Sequence, residues 1–295
     1  MAKNKQKLTF VLSLLLCMLC ACSNNEISPE MGEKVVSFRV TNFFQYEMDA
    51  PTRATPVSAK DSKKIKHLAL GIFNEQTGKM VNELIIQNLG EDGFGSFTVK
   101  LHYGQYRLVF LGYGGDKACI MESPEHISFV DGYVPQTFLY TTKITIDAKS
   151  ELQTNITLHR VVAGFKVVME DVIPANASTV CFSTTGGGTV LNAMTGLAAS
   201  KTGRNAVLDV TDDYKGAPDK YATIYLFLSE NPEKMNITTS VKGADDKVIR
   251  ERSFSDVSLK VNTMTEYKGQ FFEEESYGFS ISVDEDWETG AKFTY

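Results

Sequence analysis

From Val35 onward the chain alternates apolar and polar residues with a period of two, and this pattern restricts it to β structure. Val36, Phe38, Val40, Asn42, Phe44 and Tyr46 interleave with Ser37, Arg39, Thr41, Phe43 and Gln45. A segment of that kind presents β-branched and aromatic side chains on one pleated face. Runs of the same character recur at Leu68–Phe73, Phe97–Leu101, Tyr106–Phe110, Thr137–Ile146, Phe165–Met169 and Val180–Phe182, and then at Ala222–Leu228, Asn236–Val241, Lys247–Phe254 and Tyr267–Phe272. Turn residues fall between them: Asn74 to Gly78, Asp92-Gly93, Tyr103-Gly104, Gly186-Gly187-Gly188 (read as a flexible turn) and Lys242-Gly243. Short strands separated by such turns predict an all-β chain of Greek-key sandwiches. No long amphipathic helix is visible, and only 190–200 leaves room for a short one.

With 295 residues the chain is long enough for about two domains. The best boundary lies near His159-Arg160, which gives sandwiches over 35–158 and 159–295. A faint internal echo points the same way: Phe97-x-Val-x-Leu, a glycine turn and Tyr106-x-Leu-x-Phe are matched by Ala206-x-Leu-x-Val, a longer loop and Tyr221–Leu228. The chain is 43% hydrophobic and 22% charged, which excludes a disordered tail or a collagen-like repeat. Its 30 Lys and Arg against 36 Asp and Glu leave a net charge of −6 with no basic cluster, so no nucleic-acid partner is expected.

Residues 1–21 have the form of an export signal, with Lys3, Lys5 and Lys7 ahead of an apolar stretch from Leu8 to Leu19. The segment closes on Leu19-Cys20-Ala21-Cys22, which resembles a bacterial lipobox. That resemblance implies cleavage before Cys22 and acylation of Cys22; the other reading is a plain secretory signal that is rich in cysteine. Acylation would make 22–34 a lipidated tether, because two or more acyl chains anchor a protein stably. Ser23 after the cysteine points to the outer membrane, with exposure at the cell surface. No later stretch is apolar enough to span a bilayer. The mature chain keeps Cys119 and Cys181, which fall on opposite sides of the expected boundary, so both are expected to be small buried hydrophobes rather than a disulfide.

Catalytic and cofactor motifs are missing from the sequence: no H-E-x-x-H, no G-x-S-x-G, no Walker lysine. The chain is therefore expected not to be an enzyme and to carry no cofactor. His67, His102, His126 and His159 stand singly, without the spacing of metal ligands. The acidic run Asp284-Glu285-Asp286-Trp287-Glu288 lacks the glycine and terminal glutamate of a calcium loop and is read as a solvated turn. Tyr113, Tyr133 and Tyr140 are the aromatics considered for stacking on sugars.

Several segments together resemble the fimbrillin superfamily of type V pili, and within it the FimB-type anchor and accessory subunits. They are the lipobox, Phe97-Thr-Val-Lys-Leu with Gly104-x-Tyr106-Arg-Leu-Val-Phe, the junction Leu158-His-Arg160-Val-Val-Ala163, Val261-Asn262-Thr263 with Tyr267-Lys-Gly269, and the ending Phe279-Ser-Ile-Ser-Val283 with Trp287. The resemblance implies tandem transthyretin-like sandwiches in a non-enzymatic fimbrial subunit that joins other subunits by β-strand complementation and mediates adhesion to a host or glycan receptor. It also implies that the strand from Val35 to Tyr46 is removable by proteolysis after Arg53, before Ala54; an ordinary inter-strand loop is the alternative. Phe279, Ile281 and Val283, with Trp287 as a plug, are the candidate donor strand within 279–295. The alternative is that 279–295 completes the second sandwich of its own chain. A surface glycan-binding lipoprotein is the rival function.

Overall fold

The computed structural model describes residues 32–44, 57–58, 64–151, 153–273 and 278–284. In chain order the first ten strands are β1 (Glu33–Phe44), β2 (Val57–Ser58), β3 (His67–Asn74), β4 (Ile85–Asn88), β5 (Ser96–His102), β6 (Gly104–Tyr113), β7 (Cys119–Ser123), β8 (His126–Phe129), β9 (Thr137–Ile146) and β10 (Gln153–Arg160). The second ten are β11 (Ala163–Met169), β12 (Ala177–Thr184), β13 (Leu191–Asn192), β14 (Leu197–Ala198), β15 (Arg204–Asp209), β16 (Lys220–Leu226), β17 (Glu233–Gly243), β18 (Val248–Leu259), β19 (Met264–Gly269) and β20 (Ser280–Asp284). Among the described residues the helical content is a single 3-10 turn at Val130–Gly132. The all-β class expected from the alternation is what the chain adopts. The short helix expected at 190–200 is not: β13 and β14 form a hairpin there. Its turn is set by Asn192, whose side chain accepts the Met194 amide and whose carbonyl accepts the Gly196 amide.

Strand pairing reveals one seven-strand pattern used twice. In the first half β1 pairs antiparallel with β5 and parallel with β10, while β4, β3, β6 and β9 lie in that order in a second, antiparallel layer. In the second half β11 pairs antiparallel with β16 and parallel with β19, and β15, β12, β17 and β18 form the antiparallel layer. The correspondence holds strand for strand and in every orientation. It places β5–β6 against β16–β17, so the echo between 97–110 and 206–228 is out of step by one strand. Strands with the same apolar period look alike in sequence, and only their hydrogen-bonded partners tell them apart.

Each pattern encloses its own core. Val36, Phe38 and Val40 of β1 meet Leu68, Leu70 and Ile72 of β3, Phe97 and Leu101 of β5, and Leu108 and Phe110 of β6. In the second half Phe165 and Val167 of β11 face Val180 and Phe182 of β12, Ile237 and Val241 of β17, and Phe254 and Leu259 of β18.

Two hairpins are inserted into this repeat, β7–β8 between β6 and β9, and β13–β14 between β12 and β15. They join across Leu191–Ile127 into one four-stranded sheet of order β14-β13-β8-β7. Beneath it lies a third core drawn from both halves, in which Ala69, Phe73, Val109 and Ile127 pack with Val162, Leu191 and Phe227, all fully buried. β10 runs through His159 to Arg160, and Val161 and Val162 then enter this shared core. The Arg160 guanidinium donates to the side-chain oxygens of Asn262 and Gln136 and lies 4.9 Å from the centre of the Phe138 ring.

The Gly186–Gly188 run is a tightly bound junction, not the flexible turn its composition suggests. The Glu233 carboxylate accepts the Gly187 amide at 3.0 Å, the Gly187 carbonyl accepts two further amides, and Gly188 bridges Phe227. A Cβ at Gly188 would sit 2.6 Å from the Ser200 carbonyl oxygen, which only glycine avoids. Of the two cysteines among the described residues, Cys119 is buried as expected; Cys181 is only half-buried, because it points to the outer face of β12.

Candidate assembly edge

The two seven-strand patterns differ beside their last strand. In the first, β10 joins β9 through His159–Leu139 and Arg160–Phe138, so the two layers meet at a closed corner. In the second, the equivalent strands β19 and β18 are not paired. That flank carries β20 instead, an addition to the shared pattern, which pairs antiparallel with β19 from Lys268–Ser280 to Met264–Asp284.

Register decides which way the side chains of β20 point. Directly paired residues share a face. Val283 stands opposite Thr265 and Ile281 opposite Tyr267, and these in turn adjoin Phe165 and Val167, both fully buried. Ile281 and Val283 therefore extend the core-facing row, yet they are 60% and 53% exposed. They have run past the edge of the opposing layer, which ends at β18. Ser280 and Ser282 on the other face are exposed too. Below Val283, the Thr265 hydroxyl is buried without a hydrogen-bond partner among the described residues. Phe279, at the start of the segment, has a half-buried ring that meets Phe254 edge-on at 5.0 Å. Phe254 in turn packs on Tyr267 at 4.7 Å, and burial there pushes the Tyr267 phenol above its ordinary range.

The chain ahead of β20 is held differently. Phe271, Phe272 and Glu273 lie outside any strand, but their main-chain groups are all engaged. The Asp171 carboxylate accepts the three successive amides, Phe271 at 2.9 Å. The three carbonyls are taken by two arginines of β18: Arg252 donates to Phe271 and Glu273, and Arg250 to Phe272 at 2.7 Å. Arg250 and Arg252 stand opposite Val241 and Thr239, on the core-facing side of β18. Inward-pointing charges on an edge strand discourage uncontrolled pairing, and here they also fix a neighbouring segment.

The outer face of the β16-β11-β19-β20 layer is polar. Lys166 pairs with Glu266 at 2.6 Å and lies 4.8 Å from the centre of the Tyr221 ring, while Lys268 sits 3.3 Å from Glu170 and 3.9 Å from Asp219. An open cleft of about 470 Å³ is lined by Glu170, Lys268, Gln270, Gly278, Phe279 and Ser280.

Of the residues singled out from sequence, Cys22, Arg53, Ala54 and Trp287 lie outside the described residues, and Phe279, Ile281 and Val283 come together at this edge. The tyrosines considered for sugar stacking are not exposed platforms: Tyr113 is 2% exposed, and Tyr133 and Tyr140 are half-buried. Among the described tyrosines, Tyr221, at 52%, is the exposed one. It was missed because its strand alternates like any other. Asp171, Arg250 and Arg252 had no signal beyond ordinary surface charge. Among the described residues no group of three His, Cys, Asp or Glu could hold a metal ion, and no helix is long and apolar enough to cross a membrane.

The model of a family of unknown function, DUF6562, matches residues 135–293. No curated protein matches the chain. Among solved structures, a candidate adhesin from Bacteroides ovatus is similar at 10% identity and a TM-score of 0.50, over 89% of this chain and 96% of that one. A candidate polysaccharide-binding protein from Bacteroides thetaiotaomicron is similar at 13% identity and a TM-score of 0.49, over 84% and 95%. The fimbrial anchor protein Mfa2 from Porphyromonas gingivalis is similar at 12% identity and a TM-score of 0.43, over 85% and 97%. The first of these likenesses establishes a shared fold.

Proposed function

The chain belongs to the DUF6562 family of unknown function, and from that premise we propose that it is a structural subunit of a cell-surface fimbria, of the FimB-like anchor or accessory kind. Its two seven-strand patterns are read as tandem transthyretin-like sandwiches over 35–158 and 159–295. Acylated Cys22 tethers them to the outer membrane, and other fimbrial subunits join by β-strand complementation with 279–295 as donor. The observation that carries the reading is the core-facing yet exposed pair Ile281 and Val283 on an edge strand added to a complete seven-strand set. An extended edge segment with alternating apolar side chains suits strand addition, in which main-chain hydrogen bonds join the chains and side chains fill pockets. The fold is shared with a candidate adhesin, which supports a role in adhesion.

The test is assembly of purified mature chain with its sister subunits. Ile281→Asp with Val283→Asp leaves the buried core untouched and is expected to abolish polymer growth, read by size exclusion and electron microscopy. Growth at the wild-type rate would exclude the donor role. Cys22→Ala is expected to release the chain from the outer-membrane fraction. Mass measurement of the surface protein separates the anchor, with its acylated terminus intact, from a stalk subunit that begins at Ala54.

A second reading, a surface glycan-binding lipoprotein, is favoured by Tyr221, exposed beside Lys166 and on the same face as the Lys268–Ser280 cleft. Aromatic faces flanked by paired polar groups suit sugar rings. Retention on immobilised polysaccharide that is lost in Tyr221→Ala would support it.

A further inference from the structure

We infer that the outer face of the β16-β11-β19 layer binds neutral hexose polysaccharide, laid across the strands from Tyr221 to the cleft beside Lys268, and rejects acidic polysaccharide. The inference rests on the glycan-binding reading and adds the class of glycan and the seat that takes it.

Strand register puts Tyr221 of β16, Val168 of β11 and Lys268 of β19 in one row on this face, with Ser280 of β20 beside Lys268. Neighbouring strands lie about 4.8 Å apart, so Tyr221 and Lys268 are roughly 10 Å apart across the sheet, a span of about two sugar rings. Val168 between them is only 7% exposed, so the two side chains adjoin over it without a gap. Lys166 Nζ rests 4.8 Å from the centre of the Tyr221 ring, yet Tyr221 stays 52% exposed, which leaves aromatic surface for the apolar face of a sugar. Lys268 lies 3.3 Å from Glu170 and 3.9 Å from Asp219, and Lys166 lies 2.6 Å from Glu266. Each pair sets a donor beside an acceptor. Adjacent hydroxyls of a hexose match that arrangement, because a hydroxyl both donates and accepts. Beyond Lys268 the row opens into the cleft of about 470 Å³, where Gln270 and Ser280 add further polar groups.

Charge selects the class of polymer. Two ammonium groups, Lys166 and Lys268, stand against the three carboxylates of Glu170, Asp219 and Glu266. Both cations are matched and negative charge is in excess, so a uronate or sulfate group finds no free countercharge and is repelled. A neutral ring leaves every ion pair intact and still gains the stack and the hydrogen bonds.

Affinity electrophoresis of the full chain tests this, with glucan, mannan and galactan as neutral probes and polygalacturonate and chondroitin sulfate as acidic ones. Retention is expected on at least one neutral polymer, changing by less than about twofold between about 0.05 and 0.5 M salt, and on neither acidic polymer. Tyr221→Ala is expected to weaken retention about tenfold, while Tyr221→Phe, which keeps the ring, retains it. An unchanged melting temperature shows that both variants are folded. Glu170→Gln with Glu266→Gln removes the excess negative charge and is expected to admit polygalacturonate. Continued rejection by that variant, or a wild-type preference for the acidic polymers, overturns the inferred class. Neutral binding unaltered in Tyr221→Ala overturns the seat. In each of these cases the glycan-binding reading survives; retention on none of the five polymers overturns the reading and the inference together.

Discussion

Glu233 shows what a single buried charge does in this molecule. Its side chain is fully buried, and burial, the largest influence, works against ionisation. The Gly187 and Ser229 amides, the Ser229 hydroxyl and the Lys201 ammonium outweigh it and hold the carboxyl below its ordinary range. A depressed folded-state value means that the ionised group adds stability above the unfolded value of about 4.3, and that this is lost as pH falls through the folded one. Glu233→Gln is expected to lower stability by about 2–3 kcal/mol at neutral pH, less than for a fully enclosed ion pair because Lys201 is half in water. Urea denaturation should show that difference shrinking towards pH 3. The cysteines give a second check. Burial pushes the Cys119 thiol up to about 12, so at pH 8 a water-soluble disulfide reagent should label Cys181 alone in the native protein and both thiols after unfolding.

β20 and the clamp that Asp171, Arg250 and Arg252 form on residues 271–273 before it show how two neighbouring segments come to be held differently. Hydrogen exchange is expected to place the β20 amides at least a hundredfold faster than those of β19, with the change falling just after Glu273. Asp171→Ala removes the acceptor of three amides and leaves the arginines holding carbonyls alone. The exchange boundary should then move inward to Thr265–Phe271, with a stability loss of about 2–4 kcal/mol by denaturant titration. Retention of the boundary after Glu273 would show that Arg250 and Arg252 suffice. The alternation of Phe279, Ile281 and Val283 was legible in the sequence, since period two is a local property. The clamp was not, because Asp171 lies about a hundred residues from the amides that it binds.

At the scale of the whole molecule, the two halves are joined by the inserted hairpins together with residues of the repeat strands that pack beneath them. Neither β7–β8 nor β13–β14 has a counterpart in the other half, yet together they build one sheet over a shared core. A core of that kind couples the stability of the halves, so the described body is expected to unfold in a single calorimetric transition. Phe227→Ala deletes a fully buried ring from the shared core and is expected to cost about 3–5 kcal/mol and to resolve two transitions. Two transitions already in the wild-type chain would mean that the shared core contributes little coupling.

Period-two alternation, turn residues and the absence of a helical period determined by themselves that this chain is all-β, and roughly where its strands run, because the face on which a side chain lands depends only on its neighbours in sequence. Tertiary structure decided the rest: that β1 and β10, and β11 and β19, lie parallel, that two hairpins meet across the halves, that Gly186–Gly188 is rigid, and that Ile281 and Val283 face the core while remaining in water. Each of these depends on which strand lies alongside which. Pairing energies between strands of similar composition differ too little for a linear pattern to encode that choice.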